Sequence, residues 1–384
     1  MNKVRIGIVG LGNMGRFHAD YLLKGEVQNA VLTAVSDTFT RNLDFYRGKV
    51  AVFEDCSQMI RSGMIDAIII ATPHYLHTVL GIDALENGLH VLTEKPISVH
   101  KADCERLIAA HQKPGQIFAA MFQLRTDPKF IKIKHLIDSG ELGQIVRINW
   151  INTDWFRTEA YYASGGWRAT WKGEGGGVLL NQCPHNLDLM QWFFGMPSKV
   201  RGFCQLGRYH DIEVEDNVTA YFEYHNGATG IFITSTGETP GTNRLEIAAT
   251  RGRLVFENGN LLFTRNEKDM KEFCQECKIG FAKPDVWNIE VPYAKTGAEH
   301  KLVTQNFVNA ILNGETLIAP ASEGIYSVEL ANSILYSSLI GEMVELPLDS
   351  SAYEAKLKEL IEHSTHVKKV REVVTEDFSK SFSQ

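Results

Sequence analysis

The segment Gly10-Leu11-Gly12-Asn13-Met14-Gly15 constrains this chain more than any other, because it follows the apolar run Val4–Val9 and opens a helix-forming stretch. Three glycines at that spacing, between a strand and a helix, are what a dinucleotide-binding turn requires. The first permits the tight turn, the second lets a pyrophosphate reach the backbone, and the third lets helix and strand pack closely, with the phosphates meeting the helix N-terminus. Leu11, Asn13 and Met14 share the loop and are candidate cofactor contacts with the glycines. A structural glycine turn would use the same residues, so a second signal matters. Asp37 ends the next strand-like run, Val31–Ser36, about 20 residues past the glycines, where a carboxylate accepts from the adenosine ribose hydroxyls. It would also repel a 2′-phosphate, which favours NAD over NADP. Arg41 beside it keeps NADP open.

The runs that follow repeat the pattern of β-branched apolar segments alternating with helical ones: Ala67–Ala71, His90–Thr93 after a helix around Ile82–Glu86, and Ile117–Met121. That alternation predicts an α/β fold, with a parallel sheet covered on both faces over residues 1–122. After Gln123 the texture changes. Ile145–Asn152, Lys199–Gln205, Val218–Tyr224 and Thr229–Thr234 lie close together, and Asn226-Gly227 and Asn258-Gly259 carry the type I′ hairpin signal. Leu179–Phe194 and Ile325–Leu339 have helical spacing. Residues 123–350 therefore read as an α+β domain with a large, mainly antiparallel open sheet. Residues 351–384 read as a peripheral helix followed by a polar tail.

Composition narrows the function. Thirty-nine Lys and Arg against 46 Asp and Glu give a net charge of −7, with no dense basic block, which argues against a nucleic-acid partner. No apolar run approaches the length of a membrane span, and the amino-terminal residues lack a signal-peptide pattern, so a cytoplasmic protein without a membrane partner is expected. Six cysteines scattered over 384 residues suit reduced thiols. Cys274 and Cys277 form a CxxC without a second pair, and His18, His74 and His77 fall on separate loops, so no metal site is expected.

Two further segments carry chemistry. Glu94-Lys95-Pro96 follows the strand ending at Thr93, at the carboxyl edge where open α/β sheets bind ligands. A lysine near a positively charged ring has its cation disfavoured, which suits a base or a donor to a substrate oxygen, although strand-end lysines are also common as solvated surface residues. In Gly175-Gly176-Gly177 through Asp188, Pro184 suits a first helical turn and places His185 at the positive end of a helix dipole, which favours neutral imidazole. Asp188, three residues on, is within reach to orient the ring. Packing alone would equally explain a histidine at a helix start.

Taken in order, the glycine loop, Ala71-Thr72-Pro73 with His77, Glu94-Lys95-Pro96, Gly166-Trp167-Arg168 and the glycine-rich segment leading to His185 resemble the Gfo/Idh/MocA oxidoreductases over about Val4 to Pro347. That resemblance implies an N-terminal Rossmann domain, a C-terminal domain whose open sheet often forms a homodimer or homotetramer interface, and bound NAD or NADP. It implies oxidation of a sugar, cyclitol or related polyol hydroxyl, or reduction of the matching ketone. Lys95 and His185 would be catalytic. Ala71, Thr72, Pro73, His77, Glu94, Lys95, Trp167 and Arg168 would line the cofactor. Asn181, Arg168, Tyr162 and Trp155 would hold substrate, within an aromatic group that also contains Tyr161 and Trp171.

One position departs from the family pattern. Four residues before the histidine the family commonly has aspartate, and here stands Asn181, whose amide holds a sugar hydroxyl but supplies no charge to an imidazolium. Proton transfer then leans more on Lys95. Two rivals share these features: a family glycosidase that uses NAD without net turnover of it, and a dinucleotide-binding regulator that has lost catalysis.

Overall fold

The computed structural model describes residues 2–371. Six parallel strands form the first sheet: β1 (Val4–Val9), β2 (Ala30–Ser36), β3 (Ala51–Phe53), β4 (Ala67–Ile70), β5 (His90–Thr93) and β6 (Phe118–Ala120), in the order β3-β2-β1-β4-β5-β6. The central strand β4 reads Ala-Ile-Ile-Ile and every residue is buried, as a strand covered on both faces must be. The order reverses direction beside β1 and β4. The crevice at their carboxyl ends is thus the ligand position of a doubly wound fold.

The second sheet has nine strands: β7 (Ile145–Asn152), β8 (Lys199–Leu206), β9 (Glu215–Glu223), β10 (Thr229–Ser235), β11 (Asn243–Ala249), β12 (Gly252–Glu257), β13 (Asn260–Asn266), β14 (Val286–Glu290) and β15 (Val344–Glu345). Their order is β14-β13-β12-β11-β7-β10-β9-β8-β15, antiparallel except for the pair β7 and β10. One face packs on the helices Pro184–Phe194 and Ala321–Ile340 through Trp150, Phe222, Phe232, Leu187 and Ile334.

Four expectations change. The hairpin at Asn226-Gly227 forms, but only Gly227 takes a positive φ, and its N–H donates to the Tyr224 carbonyl, which is a type I turn closed by a glycine bulge. Asn258-Gly259, with both φ values positive, is the type I′ pair. Leu179–Phe194 is two helices, Val178–Asn181 and Pro184–Phe194, because Pro184 lacks an N–H and disfavours helical backbone before it. The helix His300–Asn313 returns to the first sheet, where Val303, Phe307 and Val308 pack with Ile6, Leu32 and Leu92. So a division at residue 122 omits part of that core. Finally, the helix Ser350–His363 is anchored by Tyr353 and Leu357, both buried in the second core, rather than peripheral. The polar tail expected to Gln384 lies outside the described residues after Arg371.

Candidate active site

The glycine loop has the shape its residues predict. Gly10 sits at φ +84°, and a Cβ there would lie 2.6 Å from the Ala71 carbonyl oxygen; at Gly15 it would lie 1.7 Å from the Gly10 carbonyl oxygen. Over Gly12 there is nothing within 4 Å. The helix Asn13–Leu23 starts there without a side-chain cap, so its first N–H groups face open space, which fits a pyrophosphate. Thr72, beside Gly10, has a buried hydroxyl without a partner among the described residues.

Asp37 is buried and ties the loop to β2: Oδ2 accepts from the Leu11 N–H at 2.7 Å and Oδ1 from the Phe39 N–H at 2.7 Å. Asn42 donates to it at 3.1 Å. An ionised carboxylate offers about four acceptor positions, which leaves room for a ribose hydroxyl. Arg41 is exposed nearby. These residues fit NAD, and they would hold its pyrophosphate and ribose.

His77 is placed differently from its expected role as a cofactor contact. Its buried ring faces the carbonyls of Thr72 and Pro96 with both nitrogens, 2.8 Å each. It thus braces the Ala71-Thr72-Pro73 turn against the Glu94-Lys95-Pro96 turn. Glu94 is also turned inward. Its Oε1 lies 2.7 Å from His18 Nε2, and His18 Nδ1 lies 2.6 Å from the Tyr21 hydroxyl. Burial opposes the Glu94 anion, but the His18 hydrogen bond and the neighbouring His18, His300 and Lys95 outweigh it and hold the carboxyl at about 2.

Lys95 reaches from β5 into the second domain, where Nζ donates to the Asn181 carbonyl at 2.8 Å. Burial lowers its pKa; Glu94 and Glu174 pull it back up, and Arg168 pushes it down. His185 begins the helix Pro184–Phe194 and is buried. Desolvation lowers its pKa well below the usual value, and the Lys95 charge lowers it further, so the ring is neutral. Lys95 and His185 therefore share one electrostatic environment. Asp188 does not orient the imidazole: Arg125 clamps it through Nε at 2.8 Å and Nη2 at 2.6 Å. Instead, the Gln123 side-chain amide lies 3.1 Å from His185 Nε2, and Nδ1 has no partner among the described residues.

Asn181 sits at the end of the helix Val178–Asn181, whose start is held by Glu215 accepting from Gly177 N–H at 2.8 Å and Leu179 N–H at 3.1 Å. Its Oδ1 accepts from the Tyr161 hydroxyl at 3.0 Å and from Gln182 at 2.9 Å, and its amide donates to Glu174. Glu174 is buried, also accepts from the Ala169 N–H at 2.6 Å, and has its pKa raised by burial against the pull of Arg168 and Lys95. The negative charge missing from position 181 is thus present one hydrogen bond away, on a residue the sequence reading passed over. Its only signal was a lone acid between Gly173 and Gly175.

Arg168 donates to the Tyr161 hydroxyl at 2.8 Å and stacks on the Tyr161 and Trp167 rings at 4.6 and 4.7 Å. Trp167 meets His74 edge-on. Tyr161, not Tyr162, faces this group. Tyr162 is buried with its hydroxyl on Thr236 at 2.7 Å, which removes it from the substrate side. Trp155 is partly buried, donates to Asn152 at 2.5 Å and lies beside Arg157. The six cysteines are unpaired thiols.

With the fold and site in place, comparison with known proteins is decisive. Residues 4–122 match the oxidoreductase family with an NAD-binding Rossmann fold, and residues 130–255 match the GFO/IDH/MocA C-terminal domain. The chain is 32% identical over 285 residues to 1-carboxy-3-chloro-3,4-dihydroxycyclohexa-1,5-diene dehydrogenase of Comamonas testosteroni, covering 69% of this chain and 70% of that protein. This chain belongs to the Gfo/Idh/MocA oxidoreductase family. It is also 25% identical over 358 residues to scyllo-inositol 2-dehydrogenase (NAD(+)) of Bacillus subtilis strain 168, covering 90% of this chain and 97% of that one. Among solved structures it is similar to the WlbA dehydrogenase of Chromobacterium violaceum in complex with NADH and UDP-GlcNAcA. The TM-score is 0.78 at 26% identity, with 91% of this chain and 97% of that chain covered.

Proposed function

We propose that this family member is an NAD-dependent dehydrogenase that moves hydride between the cofactor and a sugar, cyclitol or related polyol hydroxyl. The observation that carries the reading is the meeting of Lys95, from the nucleotide domain, with Asn181 and the neutral His185, from the second domain, at the carboxyl edge of the parallel sheet. The names of the inositol dehydrogenases and of the NADH-bound WlbA structure support it.

Bound on the glycine loop, NAD supplies the hydride acceptor. The chain does the rest. Lys95, with its pKa lowered by burial, donates a hydrogen bond to the substrate oxygen and in its neutral form takes the hydroxyl proton. His185, held by Gln123, shares the proton. Glu174, through Asn181, supplies the compensating negative charge, and Tyr161 and Arg168 present polar edges and a stacking face to the ring.

Assembly is part of the reading. The second sheet leaves one face uncovered among the described residues, and Phe203, Ile231, Leu262 and Val286 are exposed on it, a surface that suits a second copy in a homodimer or homotetramer. No described helix is long and apolar enough to cross a membrane, which is compatible with a cytoplasmic enzyme.

A panel of sugars, sugar derivatives and cyclitols assayed for NADH formation, with nitrophenyl glycosides run beside it, tests the function. NADH formation from at least one polyol is expected. Release of nitrophenol without net NADH would replace the reading by a glycosidase, and inertness toward both by a regulator.

A further inference from the structure

Past the helix Ser350–His363 the chain does not leave the molecule. Residues 364–371, without helix or strand, run across the segment that carries Tyr161, Trp167 and Arg168. Several contacts fix the path. The Ser364 hydroxyl donates to Glu213, Lys369 pairs with Asp211 at 2.8 Å, Val370 lies against Gly166, and the Arg371 N–H donates to the Ala163 carbonyl at 3.0 Å. A cleft between the two segments is lined by Trp167, Gly173, Glu213, Ser364 and His366.

Exposure alternates over His366–Lys369 and the alternation stops at Val370, which is 60% exposed. Val367 is 78% exposed and Lys369 points outward to Asp211, whereas His366 and Lys368 are partly buried. Lys368 lies between His366, which lines the cleft with Trp167, and Val370, which lies against Gly166, and the charges acting on it are those of Glu174, Arg168, Glu159 and Asp211.

Four cations gather there. Arg157 and Arg168 flank the Tyr161 ring at 5.3 and 4.6 Å, and Lys95 and Lys368 approach the same group. Among the described residues none of these four cations has a carboxylate partner within 4 Å. Each nearby acid is engaged elsewhere: Asp211 pairs with Lys369, Glu94 meets His18, Glu159 accepts from the Asp211 N–H, Glu174 from Ala169 and Asn181, and Glu213 from the Trp171 N–H and the Ser364 hydroxyl. Partly desolvated cations held only by neutral acceptors gain from an arriving anion.

We propose that Lys368 is a substrate-binding residue which, together with Arg168, holds an anionic substituent, carboxylate or phosphate, on the polyol. This deepens the dehydrogenase reading and rests on it. Burial lowers the pKa of Lys368 and Arg168 lowers it further, as expected of a cation whose counter-charge comes with the ligand.

The test compares glucose, glucuronate and glucose 6-phosphate in NADH formation by the full chain, and in fluorescence titration of the NAD-loaded protein, for wild type, Lys368→Ala and Lys368→Arg. Wild type should prefer one of the anionic sugars over glucose. Lys368→Ala should lose about tenfold in kcat/KM and affinity for that sugar, with glucose changed less than about twofold, and Lys368→Arg should restore most of the loss. Glucuronate and glucose 6-phosphate separate a carboxylate from a phosphate. An equal effect of Lys368→Ala on neutral and anionic sugars, or none on either, would overturn the proposal. If no sugar yields NADH, the dehydrogenase reading fails. The titration still decides about Lys368: anion-selective binding lost in Lys368→Ala upholds it, and binding indifferent to the substitution rejects it.

Discussion

The side-chain amide of Asn181 donates to the buried carboxylate of Glu174, so this chain places beside Lys95 a negative charge that its helix does not carry at position 181. Glu174 raises the pKa of Lys95, and removing its charge would let burial and Arg168 lower that pKa further. In the proposed mechanism Lys95 accepts the proton in its neutral form, so kcat/KM should rise as pH climbs through its pKa. Glu174→Gln should therefore shift this rising limb to lower pH and reduce kcat about tenfold. A pH–rate profile of the variant checks both; an unshifted limb would show that Glu174 only supports the loop.

Gly12 and Gly15 should behave oppositely. With open space over Gly12, Gly12→Ala should change stability by less than about 1 kcal/mol yet weaken NAD binding at least about tenfold, because the methyl occupies the phosphate position. Gly15→Ala drives a Cβ into the Gly10 carbonyl and should destabilise the fold itself. Thermal melts and NAD titration of the two variants separate these effects.

Asp188 separates packing from chemistry. It is buried in a bidentate pair with Arg125, which also binds Glu323 at 2.5 Å. Asp188→Asn should cost about 3–5 kcal/mol, the usual penalty for breaking a buried pair, and leave the pH–rate profile in place. Denaturant unfolding measures the first. A shifted profile with unchanged stability would return Asp188 to the role of orienting His185.

The strand pattern and the glycine loop were legible because each rests on local rules: period, β-branching, and a backbone shape that glycine permits. What escaped was set by distant chain. Nothing near Asp188 in sequence indicates that Arg125 will take it, and Gln123, which meets His185, comes from the crossover between the two sheets. Tyr161 and Tyr162 are adjacent, and only the direction of a short helix, Glu159–Ala163, decides which faces the site. The return of Phe307 to the first core depends on tertiary packing that periodicity does not encode.

The Glu94–His18 contact bears on acid stability. Glu94 has its pKa depressed from 4.5 to about 2, so its contribution is present above pH 4.5 and is lost as pH falls toward 2. The shift corresponds to about 3 kcal/mol. Glu94→Gln should be less stable than wild type at neutral pH, and the difference should shrink between pH 4.5 and 2. Urea unfolding across that range checks the sign, and a gap that widened on acidification would refute the assignment.

The central claim is that Lys95 meets the reacting hydroxyl across the boundary between the two domains. Its most direct test is steady-state NADH formation by Lys95→Ala, with NAD affinity measured on the same protein. The account predicts a fall in kcat of at least about a hundredfold with the NAD dissociation constant changed less than about threefold. Undiminished turnover in that variant would contradict it.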